Sequence, residues 1–175
     1  MNINFFSNLF LWLLLITLPE IVFCQSADFT IQDVKFESQG VTFAGSILKP
    51  KKTFAAVVIV HGSDPVKREM AFAKRLAKEG IAVLTYDKRG VGESGGIYVG
   101  PSVGTNNIDS TNLNLLSQDA NAAVKIFRTY LKDKKIPIGL VGFSQAGWII
   151  PITASKNPQI EFMLLYDFPK NYCFH

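Results

Sequence analysis

Residues 138–147 read Ile-Gly-Leu-Val-Gly-Phe-Ser-Gln-Ala-Gly, an apolar run that breaks on a serine flanked by small residues. The run has the length and composition of a buried strand. Gly142 and Ala146 are small enough to let that strand and a following helix approach closely through a sharp turn. A turn of this kind is a nucleophile elbow, which lifts Ser144 above the sheet. The usual spacing is Gly-x-Ser-x-Gly; here Ala146 stands at the last position and Gly147 follows. An ordinary strand-to-helix turn with Ser144 as N-cap is the competing reading. The strand before and the helix after favour the elbow.

Working outward, Ala55–Val60, Ile81–Tyr86 and Phe162–Tyr166 are further short apolar runs. Strands buried on both faces belong to a parallel sheet covered by helices. Helical stripes separate them. Val66, Met70, Ala73, Leu76 and Ala77 form one, stopped by Gly80, so a helix is expected over 66–79. Leu116, Ala120, Ala123, Val124, Phe127 and Leu131 form a second, and 146–154 can form a third. Before all of these, Val34–Glu37 and Val41–Ile47 alternate apolar and polar residues around Gln39-Gly40. That is an antiparallel hairpin with one wet face. The expected class is α/β, a mostly parallel sheet with an N-terminal antiparallel hairpin and six strands in all. The stretch 95–114, rich in Gly, Ser, Asn and Thr, is the one long loop and is expected to be a substrate-facing or cap-adjacent segment.

Composition narrows the partners. At 48% hydrophobic and 18% charged, 175 residues make one globular core. Phe5–Leu18 is almost wholly apolar but too short to span a bilayer, which takes ~20 residues. With Pro19 and the segment to Cys24 it reads as a signal peptide over 1–24, giving a secreted or periplasmic protein without a stable membrane span. The start of the segment lacks the Lys and Arg usual in a signal peptide, and an uncleaved anchor is the other reading. Cleavage leaves Cys173 as the only cysteine, so no intrachain disulfide forms. The net charge of +4 is scattered. Lys49–Lys52 and Lys132–Lys135 read as solvated loops, and without a basic stripe carrying aromatics nucleic acid is not an expected partner. Two histidines, His61 and His175, give no metal cluster, and no cofactor is expected.

Three stretches carry candidate chemistry. A serine hydroxyl becomes a useful nucleophile when a base takes its proton, and Ser144 is the candidate. Acyl transfer then builds negative charge on the carbonyl oxygen, which fixed backbone N–H groups stabilise. The N–H of Gln145 is one expected donor; that of Ser63, with Gly62 as alternative, is the other. His61 is expected to be structural rather than a base. Asp87 and Arg89, in Tyr86–Ser94, are expected to organise a tight turn around glycines.

His-Gly-Ser at 61–63, Asp-Lys-Arg-Gly-Val-Gly-Glu-Ser at 87–94 and Gly-Phe-Ser-Gln-Ala-Gly at 142–147 together resemble the α/β-hydrolase superfamily. The resemblance covers roughly 34–166 and is nearest to secreted or periplasmic bacterial carboxylesterases of the serine aminopeptidase-like group. It implies a small-molecule ester or acyl substrate and an eight-stranded sheet, of which about six strands are expected here. It also implies an acid and then a histidine after the serine. Asp167 is the candidate acid. His175 has no element to hold it over the elbow. Residues 25–175 are therefore expected to be an incomplete hydrolase domain, with 167–175 an aberrant tail and weak or no turnover. A non-catalytic binding module, or an enzyme completed by a partner chain, are the alternatives. The Phe162–Tyr166 strand is expected to be an exposed apolar edge through which copies self-associate.

Overall fold

In the strand Ala55–Val60 every side chain is buried, and its residues alternate between two apolar cores. The structure, a computed structural model, describes residues 28–100 and 108–166. The expected signal segment, Asp167 and the 167–175 tail lie outside the described residues. Six strands are present among them: β1 Phe29–Ser38, β2 Val41–Pro50, β3 Ala55–Val60, β4 Ile81–Tyr86, β5 Ile138–Phe143 and β6 Ile160–Tyr166. The helices are α1 Met70–Lys78, α2 Ser110–Tyr130 and α3 Ala146–Ser155.

The strands form one sheet in the order β1-β2-β4-β3-β5-β6. β3 lies parallel to β4 and β5, and β5 parallel to β6. The β1–β2 hairpin is antiparallel and joins β4 antiparallel. This is the α/β-hydrolase arrangement expected from the sequence. Gln39 and Gly40 turn the hairpin with φ of 50° and 70°, the left-handed pair that a two-residue hairpin loop needs.

Helices cover both faces. Ala56, Val58 and Val60 point toward the core under α2 and α3, where Val124, Phe127, Ile149 and Ile150 pack. Val57 and Ile59 point the other way, toward Ala73 and Ala77 of α1. The period-2 alternation of a strand and the 3.6 period of a helix thus meet at both surfaces. Gly80 ends α1 as expected, at φ 86°. β6 borders the sheet, with Met163, Leu164, Leu165 and Tyr166 exposed.

Two helix starts differ from expectation. α1 begins at Met70, not 66. The N–H groups of Arg68 and Glu69 go to the Asp87 carboxylate and the Thr85 hydroxyl, and the Val66 carbonyl accepts from the Lys88 N–H. α2 begins at Ser110, inside the stretch expected to be loop. Asp109 caps it by accepting from Asn112 N–H at 2.8 Å, and the polar first turn carries no apolar stripe to announce it.

One ion pair is fully internal. Arg89 donates from Nε (2.8 Å) and Nη2 (2.5 Å) to the two oxygens of Asp119 on α2, and Nη2 also donates to the Ser38 carbonyl. It ties hairpin, β4 loop and α2 together. Removing one partner strands a buried charge, which costs about 3–5 kcal/mol. Asp119→Ala is therefore expected to lower unfolding stability by that amount in urea titrations. Arg89→Met combined with Asp119→Leu is expected to recover most of the loss, which separates stranded charge from lost packing.

Candidate active site

Ser144 sits between the end of β5 and the start of α3 with φ of 53°. A non-glycine residue held there stores roughly 1–3 kcal/mol of strain, which neighbouring structure must impose. Gly142 shows how. A Cβ there would lie 2.5 Å from the Val60 carbonyl oxygen and 2.4 Å from the Ala146 Cβ. The missing side chain at 142 is the space that the Ala146 methyl occupies, which accommodates the departure from the usual final glycine. The result is an exposed Ser144 directly followed by a buried Gln145.

The loop after β3 lies against this turn. A Cβ on Gly62 would meet the Phe143 carbonyl oxygen at 3.3 Å and the Ser144 Cβ at 3.6 Å. Lys88, only 3% exposed, reaches the same place from the end of β4. Its Nζ donates to the carbonyls of Gly62 (2.6 Å) and Ser63 (3.1 Å) and to Oε1 of Gln145 (3.1 Å). Tyr98 donates its hydroxyl to the Ser63 carbonyl at 2.7 Å, and its ring lies 5.4 Å from Nζ. The structure therefore brings together Ser63, Ser144 and Gln145, three residues singled out from sequence, and adds Lys88 and Tyr98, which sequence reasoning missed. Burial pushes the Lys88 ammonium down to about 8, against the nearby Asp64 carboxylate.

Asp87 belongs to the turn. Its Oδ1 accepts from Arg68 N–H (2.8 Å) and Nε (3.3 Å), and Oδ2 accepts from Glu93 N–H (2.9 Å). Burial alone would raise this carboxyl, but those donors and the guanidinium charge outweigh it and hold it below its ordinary value. A Cβ on Gly92 would strike Oδ2 at 2.5 Å, which explains the glycine there. Arg89, expected to share this turn, instead pairs with Asp119.

His61 is buried, with its ring edge-on to Tyr86 at 4.7 Å. Burial first, then the Lys88 charge, lowers it to about 4. The imidazole is thus neutral at pH 7. Together with Tyr86, Lys88, Arg89 and Asp119 it lines a cavity of about 10 Å³, room for about one water and no substrate. The candidate acid Asp167 and His175 lie outside the described residues.

Comparison with known proteins agrees with the fold. The profile of the family described as serine aminopeptidase, S33, matches residues 51–166. An esterase of Pyrococcus furiosus is 26% identical, with a TM-score of 0.58; the alignment covers 75% of this chain and 49% of that one. A hypothetical protein of Pseudomonas aeruginosa is 22% identical with a TM-score of 0.63, covering 82% and 44%. A cold-adapted esterase from an Arctic intertidal metagenomic library is 21% identical with a TM-score of 0.60, covering 81% and 62%. The chain thus spans between 44% and 62% of the length of these structures. No curated protein sequence matches.

Two measurements probe the site's construction. Gly142→Ala forces the clash with Val60 and Ala146 and is expected to lower stability by about 3 kcal/mol, while Ser144→Ala at the exposed neighbour changes it by less than about 0.5 kcal/mol. For His61, the folded value of about 4 lies below the unfolded value of 6.5. The unfolded chain therefore binds the extra proton between these pH values, and stability falls as pH drops from 6.5 to 4, by about 3 kcal/mol. Denaturation at stepped pH is expected to show this loss in the native chain and a shallower slope in His61→Gln.

Proposed function

The chain belongs to the serine aminopeptidase S33 family of α/β-hydrolases, and from that premise we propose that it is a serine hydrolase acting on carboxylic esters. Ser144 Oγ attacks the ester carbonyl carbon, and its proton passes to a base. The oxyanion that forms is held by the N–H groups of Ser63 and Gln145. Collapse expels the alcohol, which takes up the proton, and leaves an acyl-serine that water hydrolyses to the acid and free Ser144. The observation that carries this reading is the exposed Ser144 in a left-handed conformation with the Gly62 backbone packed against it. The similarity to the Pyrococcus furiosus esterase favours an ester over other acyl substrates.

The base is the weak point of this chain. Its two histidines are His61, buried, neutral and turned to Tyr86, and His175. We assign the acid to Asp167, the residue after β6, and no general base to the described residues. Without a base, an oxyanion hole and binding alone retain roughly 10³–10⁴-fold catalysis over water. This chain by itself is therefore expected to react with a fluorophosphonate slowly, at Ser144, and to hydrolyse p-nitrophenyl esters only slightly above background. Labelling is expected to vanish in Ser144→Ala. Labelling that survives this change would remove Ser144 as nucleophile, and labelling complete within seconds would show a working base in the chain. Residues 1–24 we read as an export signal, which N-terminal sequencing of the exported protein tests.

A further inference from the structure

The basic residues that look scattered along the sequence are gathered by the fold at one end of the sheet. Register places that end. Ala55 pairs with Ile81, Ala56 with Ile138, Ile138 with Ile160, and Pro50 with Phe29. The segments 49–54, 78–80 and 131–137, together with Asp28, therefore lie at the same end. Hydrogen bonds stitch them: Lys51 N–H to Asp28, Phe54 N–H to Gly80, Ala56 N–H to Pro137. The first segment carries Lys49, Lys51 and Lys52, and α1 ends on Lys78. The third segment carries Lys132, Lys134 and Lys135. Opposing them are Asp28, Glu79 and Asp133. These segments alone carry seven lysines against three carboxylates.

Two more observations single out this end. Phe54 stands 65% exposed between the lysines, its ring supported on Gly80, whose added Cβ would meet it at 3.2 Å. Asp28 is also where the chain enters the domain from its apolar N-terminal stretch. Four residues from Cys24 to Asp28 extend at most ~14 Å. That is close to the ~10 Å over which exposed charges act at 0.1 M salt. An apolar N-terminal stretch that engages a membrane would thus bring this end of the domain toward it. Ser144, at the opposite end of β5, faces away.

We propose that this lysine-rich end, with Phe54 at its centre, is a docking face for an anionic lipid bilayer that holds the elbow toward solvent. Lysines near an anionic surface attract it at ~5-fold in partitioning per residue, and an exposed aromatic ring supplies the interfacial contact. The proposal is independent of the catalytic reading, because no patch residue touches the elbow.

The test is co-sedimentation of the full-length chain with vesicles of phosphatidylcholine alone or mixed with phosphatidylglycerol. Tighter binding to the mixed vesicles is expected, lost at high salt. Lys51→Glu, Lys52→Glu and Lys78→Glu together are expected to weaken binding to mixed vesicles at least ~10-fold and leave the phosphatidylcholine baseline in place. Phe54→Ser is expected to weaken binding to both vesicle types. Lys67→Glu, at the elbow end, is the charge control and is expected to change little. In parallel, amine-reactive labelling is expected to show Lys52, Lys78 and Lys134 protected by mixed vesicles and Lys67 unprotected. Equal binding to both vesicle types, or equal protection of Lys67, overturns the proposal. So does binding of duplex DNA without preference for phosphatidylglycerol.

Discussion

A side chain at position 142 has nowhere to go, and much of the molecule follows from that. The backbone of β3 runs within contact distance of Gly142 at Val60, and α3 starts against it at Ala146. This close approach leaves a short turn, and Ser144 is held at φ 53° within it. The strain is local, whereas what imposes it is not. β5 is fixed between β3 and β6, and α3 buries Ile149 and Ile150 in the core under the sheet. Each fully buried aliphatic contributes about 1.5–3 kcal/mol, so a few of them outweigh a strained serine. The elbow is thus an outcome of packing, and its geometry is no softer than the core that enforces it.

The second constraint is electrostatic. Lys88 and Arg89 are adjacent and both buried, yet they resolve their charge differently. Arg89 meets a carboxylate, Asp119, with two parallel hydrogen bonds, the bidentate geometry to which a guanidinium is suited. Lys88 donates to carbonyl and amide oxygens, with the Asp64 carboxylate nearby. Burial lowers the ammonium to about 8 against the attraction of the Asp64 carboxylate, which leaves it mostly protonated at neutral pH. The arrangement also joins loops that share no strand pairing: a single ammonium holds the Gly62 and Ser63 carbonyls and the Gln145 side chain, next to Ser144.

What could be read from sequence was what periodicity encodes. Ala55–Val60 and Ile138–Val141 are apolar at every position because helices cover both faces, and that pattern survives without neighbours. The elbow was legible because Gly142, Ser144 and Ala146 are close in sequence as well as in space. The start of α1 was not, since Val66–Glu69 continue an apolar stripe while their backbone groups serve Asp87, Thr85 and Lys88, residues about 20 positions away. The start of α2 was hidden by a polar first turn. Lys88 was hidden for a different reason: a lysine between an aspartate and an arginine reads as a solvated charge, and only the fold places three oxygens around it.

The same gap between sequence distance and spatial distance shapes the surface. Lys51 and Lys134 are separated by most of the described chain, but a parallel sheet returns every strand to the same starting end. Loops that precede strands collect there, and loops that follow strands collect at the other end, where Ser63, Lys88 and Ser144 lie. A parallel sheet is polar in this sense, and its two ends can evolve separate properties because no strand pairing links a loop at one end to a loop at the other. Here the end bearing the serine pairs Arg68 with Asp87, whereas the opposite end gathers seven lysines against three carboxylates. An excess of lysines over carboxylates at one end gives that end a positive field, and an anionic surface is the partner its chemistry fits.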